Sequence, residues 1–234
     1  MSKPDPARRA ALGLIVGVTE ERVTLAEQIG AGALESLPPQ DRARAQRLAL
    51  ATLRHLAQAD AMLKPHLRKR PSADVLALLR LATVELCAEG AAPHGVVNAA
   101  VTLAQAGGWR SEGYAGLVNA VLRKVAAETD RWARLDAPAL PGWLRGRLMS
   151  AYGKQATMRM EAAHLAGAPL DLSVKANPEA WAAQLGAELL PTGTLRLASG
   201  AQITELPGYA SGDWWVQDAA AALAAKLAAP RAGE

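Results

Sequence analysis

Phenylalanine is absent from the 234 residues, aromatic residues amount to 4%, and there is one cysteine. The lone thiol, Cys87, excludes an intrachain disulfide and a cysteine-only zinc site. The four histidines are scattered without ligand spacing, so no metal is expected. No stretch is long and apolar enough to span a membrane. Met1 to Pro6 is polar and charge interrupts the first apolar run, so no signal peptide is expected and a reduced, cytoplasmic compartment is the default. The glycine pair Gly107-Gly108 falls between helices, not between a strand and a helix, and so fails as a phosphate cradle. No Ser-His-Asp or Cys-His arrangement can be argued from spacing, and the scattered carboxylates read as solvated helix faces. These absences leave no self-contained active site.

What is present is apolar and helical. Half of the residues are hydrophobic, enough for one core and permitting two domains, and the abundant alanine favours closely packed helices over large sheets. The formal net charge is +4. Residues 1–128 carry sixteen Lys and Arg against twelve Asp and Glu, while residues 129–234 carry ten against ten. The whole excess (16 − 12 = 4) lies in the first part, where a polyanionic partner would bind.

Read in order, Asp5-Pro6 is an N-cap and first-turn proline for a helix over 7–18. Thr24-Leu-Ala-Glu27 has capping-box spacing and starts a second helix to about Leu34. After Pro38-Pro39 a long helical run extends from Asp41 to about Leu67, with a bend expected near Asp60. Ser72 caps a helix over 74–89 that is apolar almost all round and reads as the central core helix, with Cys87 as a small buried hydrophobe. A helix over 94–106 and a loop over 107–113 follow. Tyr114, Leu117, Val118, Val121, Leu122 and Val125 then mark one face of a further helix. That gives about seven helices and no strand up to Glu128.

Residues 130–141 form a polar connector with Trp132, followed by helices over 141–152 and 154–166. Leu170–Lys175 alternates as a half-buried strand, and 178–185 is a short helix. Short strands are expected at 188–190, 194–198 and 213–217, with a turn at Leu206–Tyr209. Asp218 caps a helix to Ala228. The fold class is therefore mainly α: a helical bundle (1–128), a helical linker (129–167) and a small α/β unit (168–208).

Two groups of polar residues stand out. Lys64, Arg68, Lys69 and Arg70 crowd the end of a helical run, more cations than a helix C-terminus needs for its dipole. With Arg8, Arg9, Arg44, Arg47 and Arg54 they are candidates for phosphate contacts. His94, Asn98, Asn119 and Arg123 are assigned to structure, the two asparagines bonding backbone near helix starts. Asn119 falls inside an apolar face, where an unpaired amide costs about 1–3 kcal/mol.

Leu79-Arg-Leu-Ala-Thr-Val-Glu-Leu86, Ala92-Pro-His-Gly-Val-Val-Asn98 and Gly116-Leu-Val-Asn-Ala-Val-Leu-Arg123 resemble, in order and spacing, the NusB-like domain, an all-helical RNA-binding module. Pro141-Gly-Trp-Leu-Arg-Gly-Arg-Leu-Met-Ser-Ala-Tyr152 and Leu206-Pro-Gly-Tyr-Ala-Ser-Gly-Asp-Trp-Trp-Val-Gln-Asp218 resemble segments of 16S rRNA cytosine-C5 methyltransferases of the RsmB (Sun/Fmu) type, which carry that module at their N-terminus. The resemblance covers nearly the whole chain.

It implies RNA as partner, 16S rRNA in particular, and S-adenosylmethionine as the cofactor of the full-length family enzyme. The family's cofactor turn and two catalytic cysteines are expected beyond Glu234, so the chain is expected to be the N-terminal part of such an enzyme, with no catalytic residue and no bound cofactor of its own. The resemblance makes 209–234 the start of a Rossmann-like methyltransferase domain, cut off before the cofactor site, with Gln217 and Asp218 attaching that catalytic domain and the last helix left without its usual partner. Leu172-Ser-Val-Lys175 departs from the family's usual Leu-Arg-Val-Asn, so no phosphate contact is carried over there. The alternative is a NusB-like transcription-antitermination or protein-interaction module without enzymatic activity.

Overall fold

The computed structural model describes residues 4–107, 112–197 and 203–228. The expected loop over 107–113 falls mostly outside them, as do Ala198 and the end of the chain from Pro230. The chain forms two compact units, 1–165 and 166–234.

The first unit holds α1 (Pro6–Thr19), α2 (Leu25–Gly30), α3 (Pro39–Arg54), α4 (Leu56–Leu63), α5 (Ala73–Cys87), α6 (Pro93–Ala106) and α7 (Ala115–Ala127). α8 (Gly142–Ala166) follows and closes this unit at Leu165. The local signals act as expected at several starts. The Asp5 carboxylate accepts from Arg8 N–H at 3.1 Å ahead of Pro6. Thr24 and Glu27 form the reciprocal capping box of α2. Ser72 occupies the N-cap position of α5, but its side chain makes no capping bond.

α5 is the axis of the unit. Every residue from Val75 to Leu86 is buried. On one side Val75, Leu76, Leu79, Ala82 and Leu86 pack with Met62, Leu63, Val96, Leu103, Val118 and Leu122 from α4, α6 and α7. On the other, Ala77 and Leu81 pack with Leu14, Ile15, Leu48 and Ala49 from α1 and α3. Small residues such as Ala7, Ala11, Ala45 and Ala49 are fully buried, which is how a chain without Phe brings its helices close. Cys87 is half-buried at the end of α5, and burial pushes its thiol up to about 11.

The long run after Pro38 breaks at His55 rather than near Asp60. His55 Nδ1 lies 2.6 Å from Gln58 Oε1, and its ring packs on Trp132 at 5.4 Å. These side-chain contacts hold the break, whereas Asp60 sits within α4, held by Arg80. The expected pair of helices over 141–166 is α8, whose halves meet at Gly153 (φ 77°, ψ 166°), a conformation that favours glycine. Arg145 and Glu161 clasp the halves at 2.7 Å.

The second unit is an antiparallel four-stranded sheet of order β2-β3-β1-β4, with α9 (Pro178–Leu185) and α10 (Ala219–Ala228). The strands are β1 (Leu170–Val174), β2 (Glu188–Leu189), β3 (Leu195–Leu197) and β4 (Trp214–Val216). Leu172 pairs with Leu195 on one side and Val216 on the other, so residues before and after 208 share one sheet. Leu172, Leu195, Leu197 and Trp214 form its core with Trp181 and Leu185. α10 packs against β1 and buries Ala222.

Buried Asp171 accepts two bonds from Arg196, at 2.7 and 2.8 Å, and one from Ala219 N–H at 3.1 Å, tying β1 to β3 and to the start of α10. The Arg196 bonds, aided by the Ala219 N–H and opposed by burial, hold the Asp171 carboxyl below its ordinary 3.8. A lowered native value means that this stabilisation is present above the unfolded value and is lost as pH falls through the native one. The melting temperature of the second unit, read by tryptophan fluorescence, is expected to fall as pH drops below about 3.8, and less steeply in Asp171→Asn.

Gly208 has φ +87°, and a Cβ there would lie 2.6 Å from Trp214 Nε1 and 2.7 Å from the Trp181 ring. Gly208→Ala combines backbone strain with overpacking and is expected to cost about 2–4 kcal/mol by urea unfolding of this unit.

Candidate nucleic-acid interface

The nine arginines and lysines singled out for phosphate contact separate into two sets. Arg8 is half-buried on α1. Its guanidinium donates to both oxygens of Glu85 at 2.8–3.0 Å and to Asp5 at 2.7 Å. The bond to Glu85, opposed by burial, raises the Arg8 pKa. Arg44 reaches the same Asp5 oxygen at 2.8 Å. Burial pushes Asp5 up, but the Arg8 N–H bond and the charges of Arg44 and Arg8 outweigh it, leaving Asp5 below its ordinary value. Arg47 on α3 pairs with Glu89 at 2.5 Å. Arg8 thus ties α1 to α5, Arg44 ties α3 to the start of α1, and Arg47, though exposed, is paired to the segment that follows α5.

The second set faces solvent. Arg9 and Arg54 are exposed. After α4 the chain makes a 3-10 turn over Lys64–His66 and then runs extended at Leu67. His66 and Leu67 turn inward: Leu67 packs on the core, and His66 Nε2 lies 3.5 Å from Glu128 Oε2. Lys64, Arg68, Lys69 and Arg70 remain exposed. The only ion pair these four form among the described residues is a loose one, Arg70 to Glu20 at 3.7 Å. With Leu67 packed on the core, the four cations around it are left facing solvent.

Grooves flank that loop. One, of about 520 Å³, is lined by His66, Leu67, Arg68–Pro71, Tyr114 and Leu117. The other, of about 300 Å³, lies against Lys64, Arg68, Asp60 and Arg80. Tyr114, part-exposed, sets an aromatic ring beside three cations. The sequence reading used it only as a helix-face residue. Proximity to the basic loop depends on α7 packing near the end of α4, which periodicity does not reveal.

The assigned structural residues are placed differently from expectation. Asn119 is partly buried and accepts from Arg123 Nε at 3.1 Å. Asn98 is exposed and meets the His94 ring at 3.3–3.4 Å. Both amides bond side chains one turn away on their own helix, and no hydrogen bond to backbone joins either among the described residues. The apolar stripe of α7 is narrower than its spacing implied, so Asn119 lies at its edge. In the second unit the Gln217 carbonyl oxygen accepts from Ser173 Oγ at 2.8 Å and Trp215 Nε1 at 3.1 Å. Asp218 caps α10 by accepting from Ala220 and Ala221 N–H.

Sequence reasoning also took the carboxylates for solvated faces. Glu85, Glu161 and Asp171 are instead buried partners of Arg8, Arg145 and Arg196. The sequence carries a signal for Glu85: a carboxylate within the mainly apolar, fully buried stretch of α5 must find a cation. Among the described residues there is no metal-binding group of His, Cys, Asp or Glu, and no helix long and apolar enough to cross a membrane.

A helical bundle around one buried helix, carrying a solvent-facing basic loop, defines the class of the first unit. The chain belongs to the NusB family, whose profile matches residues 5–127. Similarity extends beyond that domain. The ribosomal RNA small subunit methyltransferase B of Xanthomonas campestris pv. campestris is 30% identical over 230 residues, covering 92% of this chain and 51% of that protein. The protein of the same name from Vibrio cholerae serotype O1 is 30% identical over 251 residues, covering 97% of this chain and 56% of that protein. The chain spans about half the length of the curated relatives it matches. The solved structure of PH0851 shares the fold, with a TM-score of 0.58 at 18% identity, covering all of this chain and 57% of that one.

Breaking the Arg8–Glu85 pair leaves a buried carboxylate alone. Arg8→Ala is expected to lower unfolding free energy by about 3 kcal/mol in urea titration, while a hydrophobic replacement of both partners recovers most of it. RNA affinity of the folded Arg8→Ala protein should stay within twofold of the parent, which separates this arginine from the solvent-facing set.

Proposed function

We propose that this chain is the RNA-binding, substrate-positioning region of an rRNA cytosine-C5 methyltransferase, working in the cytoplasm with 16S rRNA as its partner. The observation that carries the RNA part is the Lys64–Arg70 loop. Of its four exposed cations, Arg68, Lys69 and the loosely paired Arg70 border a groove with an aromatic wall. Exposed cations gain affinity for a phosphate backbone through counterion release, and they position RNA without reading its sequence. Arg9 and Arg54 extend the proposed surface. The methyltransferase part is supported by relatives of that name that match across both units, beyond the NusB domain.

Methyl transfer is assigned to none of the described residues. A cofactor turn of the expected kind needs glycines between a strand and a helix. Among the described residues the two connections from a strand to an α-helix, Lys175-Ala-Asn177 and Gln217-Asp218, have none. Cys87, half-buried in the NusB domain with its thiol at about 11, is no candidate nucleophile at neutral pH. No chemical step is therefore derived on this chain. S-adenosylmethionine belongs to the full-length family enzyme. Gln217 and Asp218, which order β4 and the start of α10, would support a catalytic domain from inside the second unit rather than by direct contact.

Reversing the charges of Lys64, Arg68, Lys69 and Arg70 together to Glu is expected to weaken binding of a 16S rRNA fragment by at least about 100-fold at low salt and to flatten its salt dependence. Filter binding across a salt series measures both. Unchanged affinity in this variant, or parent binding that is flat with salt, would sink the proposed surface.

A further inference from the structure

α8 is a cation-rich helix, as α3 is, but it leaves large apolar side chains in solvent beside its cations. Between Gly142 and Ala166 it carries Arg145, Arg147, Lys154 and Arg159 against one carboxylate, Glu161. Arg145 already occupies that carboxylate, at 2.7 Å, and Leu140 N–H shares it at 2.9 Å. Arg147, Lys154 and Arg159 are exposed and form no ion pair among the described residues. Beside them stand large apolar side chains in solvent: Trp143 at 71% exposure, Tyr152 at 63% and Met158 at 49%. Only Thr157 and Glu161 are buried along the whole helix.

This is not the pattern of a helix waiting to close a core. Leu144, Leu148 and Met149 are already partly buried, while the two rings are left outside. Trp143 and Arg147 are one turn apart, as are Lys154 and Met158, and Tyr152 lies two residues before Lys154 across the bend at Gly153, so large apolar side chains and cations alternate along the exposed part of the helix. The bend that joins the halves is fixed from within. Gly153 adopts φ 77°, Thr157 Oγ1 donates to Gly153 O at 3.0 Å, and Arg145 bridges to Glu161. The faces on either side of Gly153 are thus held at one angle and not free to collapse together.

We infer that α8 is a second RNA-contacting surface, built for single-stranded RNA. Trp143 and Tyr152 stack on unpaired bases, while Arg147, Lys154 and Arg159 neutralise the adjoining phosphates. Aromatic rings interleaved with unpaired cations are the pattern by which proteins hold single strands without sequence preference. Duplex RNA keeps its bases stacked and offers no face to these rings. The centre of a protein-docking face is depleted of charge, whereas here the cations stand among the rings. The inference takes its polymer from the RNA reading above but uses a different surface, distinct from the Lys64–Arg70 loop.

The test compares a short fluorescein-labelled oligouridylate with a labelled duplex RNA, by anisotropy on the whole chain. Trp143→Ala with Tyr152→Ala is expected to weaken oligouridylate binding about tenfold or more and duplex binding less than twofold. Arg147→Glu with Lys154→Glu and Arg159→Glu should weaken both. Circular dichroism melting of both variants should match the parent, because all five side chains are exposed. The quenching of tryptophan emission by oligouridylate should be smaller in Trp143→Ala alone, a readout that a structural role would not change.

The inference is overturned if the aromatic variant binds oligouridylate like the parent, or loses single-strand and duplex binding equally. If α8 variants are unaffected but the Lys64–Arg70 reversal abolishes binding to the 16S fragment, only the α8 assignment fails and α8 is a protein-facing surface. If the parent binds none of these RNAs, both readings fail.

Discussion

The complete burial of α5 is the constraint from which the first unit follows. A helix surrounded by protein has no solvent into which to send a charge. Yet Arg80 and Glu85 lie on it, one buried toward α4 and the other toward α1. Each must meet its opposite charge within hydrogen-bonding distance, since an isolated buried charge costs several kcal/mol. Asp60 meets Arg80 with two bonds of 2.7 Å, and Arg8 meets Glu85 with three. These pairs fix the rotation of α1 and α4 about α5 more sharply than the surrounding leucines and alanines can, because apolar contacts tolerate sliding and bidentate pairs do not.

That use of charge shapes the surface as well. Arginines that hold helices together are neutralised and offer little to a polyanion. Exposed cations without a carboxylate partner stand on several helices, and at two places, the loop after α4 and α8, three or more of them lie together. Both places combine cations with an aromatic side chain, Tyr114 in the first, Trp143 and Tyr152 in the second. In a chain with so few aromatics, leaving these rings in solvent forfeits apolar burial that the core could use, which points to a role outside the core.

The second unit solves the same problem on a sheet. Asp171 is buried on β1 and serves three donors, one of them the first N–H of α10. A single carboxylate thereby couples a strand pair to a helix start. Gln217 does related work between β1 and β4, receiving Ser173 and Trp215. The two residues at the start of α10 order the unit from inside.

The sequence by itself determined the element order, because the determinants are local. Apolar spacing, the Asp5-Pro6 and Thr24–Glu27 starts, the alternation at Leu170 and the capping by Asp218 each act within a few residues, and each appears in the structure near its expected place. The family resemblance was equally legible, in strings of α5, α6 and α7 that carry core positions. What tertiary structure alone decided was which charges are free. Arg8 and Lys69 are alike in sequence, each a cation beside another cation. Only packing sets Arg8 against Glu85, 77 positions away, and leaves Lys69 exposed on its loop. The same holds for Asn119, whose burial depends on how wide a stripe of α7 its neighbours cover. Pairing across such separations is a property of helix packing, and no local pattern encodes it.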